Sequence, residues 1–301
     1  MPAPDYESLI DTATWGFIRA TAAAYPTDAV NLSIVQQRAV YDAMCRVFYA
    51  GRPKDVQVRD MTYGGVPCRH YAGAGTAVVY CHGGGFVVGS LDSHDDVCAE
   101  IAHRTGFHVI SVDYRLSPEH LHPASYDDVL AVVRAVEGPV VLVGDSAGAN
   151  LVAAVAACVP VAGQVLIYPG LGGDRTQGSY VTHALAPMLT LADVDFFAGI
   201  RHGGVEPVGD ATAAPLQAAE FTGLPPTVAI SAECDPLADD ARNYVARIVQ
   251  AGGQAQWVNA AGLVHGFLRA RHTVPRAQAS FAGIITAIAA LGRGEWPALR
   301  D

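Results

Sequence analysis

The chain has 301 residues, 51% of them hydrophobic and 16% charged, with a formal net charge of −10. That length and apolar content suffice for a large buried core in one α/β domain or two smaller ones. The acidic balance and the lack of any basic stripe exclude nucleic acid and anionic membranes as partners.

Residues 1–50 read as helical, with Trp15, Phe17, Ile18, Val47, Phe48 and Tyr49 supplying apolar faces. The opening run from Met1 to Glu7 lacks the basic and apolar regions of a secretory signal. No apolar run reaches the roughly 18 residues of a membrane span. A cytoplasmic protein with no stable membrane association is therefore expected. Strands follow at 57–63 and 66–72, joined at Gly64-Gly65 as a hairpin. A buried strand at 76–81 then runs into His82-Gly83-Gly84-Gly85-Phe86. Glycines there have no Cβ to block a substrate, so their amides can point into a pocket.

A regular alternation comes next: helix 94–105, strand 108–113, helix 123–137, strand 139–144, helix 147–158 and strand 163–168. At the end of strand 139–144 the sequence reads Gly144-Asp145-Ser146-Ala147-Gly148. Gly-x-Ser-x-Gly between a buried strand and a helix is a nucleophile elbow, a turn so tight that it lifts the hydroxyl of Ser146 clear of the sheet. Residues 171–222 break the alternation. Within them Thr190-Leu191-Ala192-Asp193 reads as a capping box for a short helix through Phe196 and Phe197. An insertion of this length between core strands is usually functional.

The alternation resumes with strand 226–232, helix 237–251, strand 254–259 and helix 275–291. An activated serine needs a histidine base and a carboxylate to orient it, in chain order Ser, acid, His. His265 sits in a glycine-flanked loop after the last strand, whereas His183, His202 and His272 read as solvated surface residues. Asp235 lies just past a strand end and before Pro236; Glu233 is its rival, and Asp239 and Asp240 read as first-turn carboxylates of the next helix. Strands separated by helices imply a mostly parallel, doubly wound sheet, whose ligand sites lie beyond the carboxyl ends of the strands. All four motifs fall at those ends. The six cysteines are scattered without C-x-x-C spacing, which fits reduced structural thiols rather than disulfides or a metal site.

Together, His82-Gly83-Gly84-Gly85, the Ser146 elbow, Asp113-Tyr114-Arg115-Leu116-Ser117-Pro118, Asp235-Pro236-Leu237 and His265-Gly266-Phe267 resemble the hormone-sensitive-lipase-like (bacterial type IV) carboxylesterases of the α/β-hydrolase superfamily. The likeness spans roughly residues 56–290, with Ala149 standing where a third glycine is frequent. It implies an α/β-hydrolase fold with a helical cap made of segments 1–50 and 171–222, on a core of 51–170 and 223–301.

The resemblance further implies hydrolysis of short- to medium-chain carboxylic esters by Ser146, His265 and Asp235, with the oxyanion on the amides of Gly83, Gly84 and Ala147. His82 is expected to hold the glycine loop. Phe86, Met188 and Phe197 are the expected substrate-binding residues. No metal or organic cofactor is required, and a homodimer is left open. An amidase, lactonase or peptidase would use the same constellation, and a non-catalytic ligand-binding protein on the same fold would be expected to lack the base that His265 supplies.

Overall fold

The structure is a computed structural model that describes residues 4–26 and 28–299. Residues 1–3, 27, 300 and 301 lie outside it, and with them small parts of the expected segments 1–50 and 223–301 and the start of the stretch read for a secretory signal.

In chain order the helices are α1 (Tyr6–Leu9), α2 (Thr12–Ala24), α3 (Ile34–Val47), α4 (Asp95–Thr105), α5 (Ala124–Ala135), α6 (Ala147–Ala156), α7 (Ser179–Thr182), α8 (Leu191–His202), α9 (Ala238–Gln250) and α10 (Pro275–Gly292). The strands are β1 (Val58–Tyr63), β2 (Val66–Tyr71), β3 (Ala77–Cys81), β4 (His108–Val112), β5 (Val140–Asp145), β6 (Gly163–Ile167), β7 (Thr227–Cys234) and β8 (Ala255–Val264). They form one sheet in the order β1-β2-β4-β3-β5-β6-β7-β8. The β1–β2 hairpin joins antiparallel and every pairing from β4 to β8 is parallel. Gly64 and Gly65 both take positive φ at the hairpin tip, which is what a two-residue turn of this hand requires.

Strand β3 is buried throughout because both faces of the sheet are covered. Its Val78 and Tyr80 pack with α4 and α10 on one face, while Val79 and Cys81 pack with α5, α6 and α9 on the other. Successive side chains of a strand point to opposite faces, so doubly covered strands read as unbroken apolar runs. This is the fold expected of an α/β hydrolase.

Three elements run longer than the sequence pattern suggests. The capping box at Thr190 and Asp193 does start α8, which continues to His202 and ends at Gly203. Strand β7 extends to Cys234, and β8 continues through the stretch 260–264 that reads as a loop. The two stay paired to Ala232 and Ala260, break register, and rejoin at Cys234 and Val264. Within that irregularity the Gly262 N–H donates to Glu233 Oε2 at 2.6 Å. A charged side chain that satisfies a backbone amide leaves no apolar alternation to read.

Close backbone approach governs the crossing of β3 and α6. A Cβ on Gly148 would run into the carbonyls of Cys81 and His82. Gly148→Ala should therefore destabilise the fold by about 1–3 kcal/mol, the usual range for overpacking. Gly16 lies inside α2, and nothing comes within 4 Å of where an alanine methyl would stand. Gly16→Ala should stabilise by about 0.4–1 kcal/mol. Denaturant midpoints for the two variants check both signs.

Candidate active site

The elbow is strained and heavily supported. Ser146 stands between β5 and α6 with φ 53° and ψ −119°. A residue with a Cβ in such a conformation costs on the order of 1–3 kcal/mol unless its surroundings hold it. Here its N–H donates to Ile167 O at 2.9 Å and its carbonyl accepts from Asn150 N–H at 3.2 Å. A Cβ on Gly144 would run into the backbone of Gly148, and one on Gly148 into the carbonyls of Cys81 and His82, so neither could carry a side chain.

The end of β8 delivers His265 to this serine. Its Nε2 lies 2.8 Å from Ser146 Oγ and its Nδ1 lies 2.7 Å from Asp235 Oδ2. With a negative carboxylate on Nδ1, the proton belongs on that nitrogen, which leaves Nε2 free to accept from the serine hydroxyl. Asp235 is fully buried, and its other oxygen accepts from Leu237 N–H at 2.9 Å, an Asx turn that fixes the carboxylate. Of the two acids the sequence leaves open, Asp235 reaches His265, while Glu233 is engaged by Gly262.

The neighbouring acids do more than cap a helix. Asp239 accepts from Ser179 N–H, and buried Asp240 accepts from Leu171 N–H and the Tyr180 hydroxyl. Burial pushes the Asp240 carboxyl up to about 6 against those hydrogen bonds. The histidines set aside as solvated also differ. Half-buried His183 meets the Tyr6 hydroxyl at 3.0 Å. Half-buried His202 is pushed down to about 4 by burial and by the charge of Arg201. Only His272 is exposed, beside Glu100.

The glycine loop after β3 corrects one expected donor. Gly83 is buried, and its N–H already donates to Asp145 Oδ1 at 2.9 Å. It therefore cannot serve a substrate. Gly84 and Gly85 line the cavity beside Ser146 and Ala147, and among the described residues the amides of Gly84, Gly85 and Ala147 have no hydrogen-bond partner. Beneath them, Asp145 accepts from Tyr80 and Tyr168 hydroxyls at 2.8 and 3.3 Å, with His94 Nε2 at 3.3 Å. Burial alone would raise its pKa, but His94 and these donors hold it down at about 2. His82 is buried, touches Gly83 O through Nδ1 at 2.8 Å and stacks on Tyr114.

Above the loop lies a cavity of about 720 Å³. Phe86, Met188 and Phe197 line it, as do Tyr25 and Tyr41 from the N-terminal segment. The Phe197 ring sits where a Cβ on Gly85 would be, 2.5 Å from that position. The non-glycine residues with positive φ among the described residues are Phe86, Ser146, Tyr168 and Met188, and all four line this cavity. The Tyr168 ring also tilts against His265 at 4.9 Å. Sequence reasoning passes over Tyr168, Asn150 and Arg201. Only Asn150 leaves a signal, as the one polar side chain in the Ala-rich helix α6. It donates to Gly170 O and Ala213 O and accepts from Arg201. Among the described residues no cluster of three or more His, Cys, Asp or Glu is placed to hold a metal ion, and no helix is long and apolar enough to cross a membrane.

Comparison with known proteins agrees with this architecture. Residues 78–269 match a family described as having the alpha/beta hydrolase fold. The carboxylic ester hydrolase LipN of Mycobacterium tuberculosis is 33% identical, over 80% of this chain and 72% of that protein. An esterase of Acinetobacter venetianus is 30% identical, over 85% of this chain and 88% of its own length. Among solved structures, an ester hydrolase from the metagenome of Lake Arreo is 30% identical with a TM-score of 0.84, covering 95% of this chain and 99% of that one. With the fold, the sequence match and the strand-end motifs in agreement, the chain belongs to the hormone-sensitive-lipase-like carboxylesterases of the α/β-hydrolase superfamily.

Proposed function

We propose that this carboxylic-ester hydrolase works through Ser146, His265 and Asp235 on esters of short to medium acyl chain. The observation that carries the reading is the continuous hydrogen-bonded chain from Ser146 Oγ through His265 to the buried Asp235. Ser146 Oγ attacks the ester carbonyl carbon as its proton passes to His265 Nε2. Asp235 stabilises the imidazolium without taking its proton. The carbonyl oxygen becomes an oxyanion held by the N–H groups of Gly84, Gly85 and Ala147, preorganised donors of the kind that contribute most to acyl transfer. His265 then protonates the departing alkoxide and leaves an acyl-Ser146 ester. Water, deprotonated by the same imidazole, attacks that ester and releases the acid and the free serine.

The segments 1–50 and 171–222 serve in this reading as the cap. Tyr25 and Tyr41 from the first and Met188 and Phe197 from the second contribute walls to the cavity. Its size suits a dissolved ester of modest length.

Ser146→Ala should lower kcat by about 10⁴–10⁶ while leaving the fold intact, and a fluorophosphonate should label the wild type at Ser146 alone. Near-normal turnover in the variant rules the mechanism out. Asp235→Asn should cost roughly 10³–10⁴ in kcat, because it presents the wrong partner to His265 Nδ1. Glu233→Gln should cost far less, and a larger loss there would transfer the acid's role to Glu233.

Met188→Ala and Phe197→Ala test the walls. Each should shift the preferred chain length in a p-nitrophenyl ester series through KM more than kcat. Unchanged profiles with lowered melting temperatures would make both residues packing alone.

Asp145 gives a pH signature. Its carboxyl is held near 2 in the folded chain, below its ordinary value of 3.8. The stabilisation is complete above that ordinary value and is lost as pH falls from about 4 towards 2. A depression of this size amounts to about 2 kcal/mol. Asp145→Asn should therefore flatten the fall in stability across that window, read from denaturant midpoints at about pH 6 and about pH 3. It should also lower kcat by loosening Gly83.

A further inference from the structure

Three arginines line the cavity among the described residues, and they differ in how their charge is met. Arg175 pairs with Asp195 and Glu206 at 3.0 and 2.7 Å. Arg201 donates to Ala213 O and Asn150 Oδ1 and lies 3.6 Å above the Phe86 ring. Arg269 has no side-chain hydrogen bond and no carboxylate within ion-pair distance among the described residues, and its Nε is buried without an acceptor. The acids lining the same cavity are already engaged. Asp145 has the donors described above, Asp193 caps α8 at Thr190, and Glu206 belongs to Arg175.

The place of this guanidinium is as telling as its lack of a partner. Arg269 lies on the turn Phe267–Ala270, immediately after His265 and Gly266. The guanidinium rests against Gly266, with Nη2 2.5 Å from where a Cβ would be, and the Tyr41 ring is 6.0 Å away. An arginine stays charged at any working pH. This fixed positive charge is set against the residue that directly follows His265. A substrate anion seated on Arg269 would supply the missing partner. Guanidinium is the side chain whose planar fork matches a carboxylate.

We infer that Arg269 forms a carboxylate subsite next to His265, and that the esters this cavity prefers carry a negative charge close to the scissile bond. The inference rests on the esterase reading above and narrows its substrate class. The carboxylate can belong to the acyl half or to the alcohol half, and the shared chemistry is the same.

Three esters separate these arms: neutral methyl butyrate, monomethyl succinate with its carboxylate on the acyl side, and carboxymethyl butyrate with its carboxylate on the alcohol side. Wild-type kcat/KM for at least one charged ester should equal or exceed that for methyl butyrate, and the one that does so assigns the side. In Arg269→Gln the ratio of charged to neutral kcat/KM should fall by about 10- to 100-fold, the range a charged hydrogen bond supplies. Arg269→Lys should recover part of it. A wild type that handles both charged esters less well than methyl butyrate overturns the subsite, as does a ratio unmoved in Arg269→Gln. If that variant does not fold, the wild-type ratio decides alone. Turnover of methyl butyrate without the charged preference sinks only the subsite, whereas no turnover of any of the three sinks the esterase reading itself.

Discussion

A single buried carboxylate organises the reactive end of this sheet. Asp145 closes β5, one residue before the elbow serine, and gathers the Gly83 amide, the Tyr80 and Tyr168 hydroxyls and His94 around it. A buried charge is costly unless every lone pair finds a donor. The donors that meet this need come from the glycine loop, from two strand ends and from the start of α4. Satisfying Asp145 therefore fixes where the loop can lie, which amides face inward and which face the cavity, and where the ring of Tyr168 meets His265. The positions of Gly84 and Gly85 are consequences of that one group being neutralised from beneath.

The same constraint explains the acid side. Asp235, Glu233, Asp239 and Asp240 lie within one short stretch, yet each has a different task. Asp235 turns back on Leu237 and faces His265, Glu233 bridges the break in the β7–β8 ladder, and Asp239 and Asp240 tie down the chain between β6 and α8. Electrostatic repulsion among four neighbouring carboxylates is eased because their hydrogen-bond donors lie in different directions. Asp240, with its carboxyl raised to about 6, is the one for which burial wins.

Much of this is legible in the sequence, and the limits are physical. The parallel core, the elbow turn and the strand-end positions of His265 and Asp235 can be read because each depends on local patterns: an apolar run, a glycine that no other residue can replace, a polar residue just past a strand end. Gly83 is misleading because three adjacent glycines look equivalent in sequence, and only the side chain of Asp145 distinguishes the first from the others. The end of β8 is hidden by Glu233 and Gly262, whose pairing replaces the usual alternation. Tyr168, Arg201 and Arg269 are invisible for a different reason. Their roles come from contacts between residues far apart in the chain, which no window of local sequence contains.

The Arg201–Asn150 contact has a consequence for how this scaffold can change. Ser146, His265 and Asp235 stand at strand ends, while much of the cavity wall comes from α2, α3 and α8. Such a division invites recombination: wall helices could be exchanged among related chains while the chemistry stays in place. Arg201 sits in the last turn of α8 and reaches Asn150, one turn along the helix that Ser146 begins. An exchanged α8 that lacks this arginine would leave Asn150 short of a donor and the Phe86 ring without its cover. An exchanged α8 must therefore keep its final-turn arginine as well as the Thr190–Asp193 capping box at its start, so inherited or designed diversity should concentrate on the positions between that make neither contact.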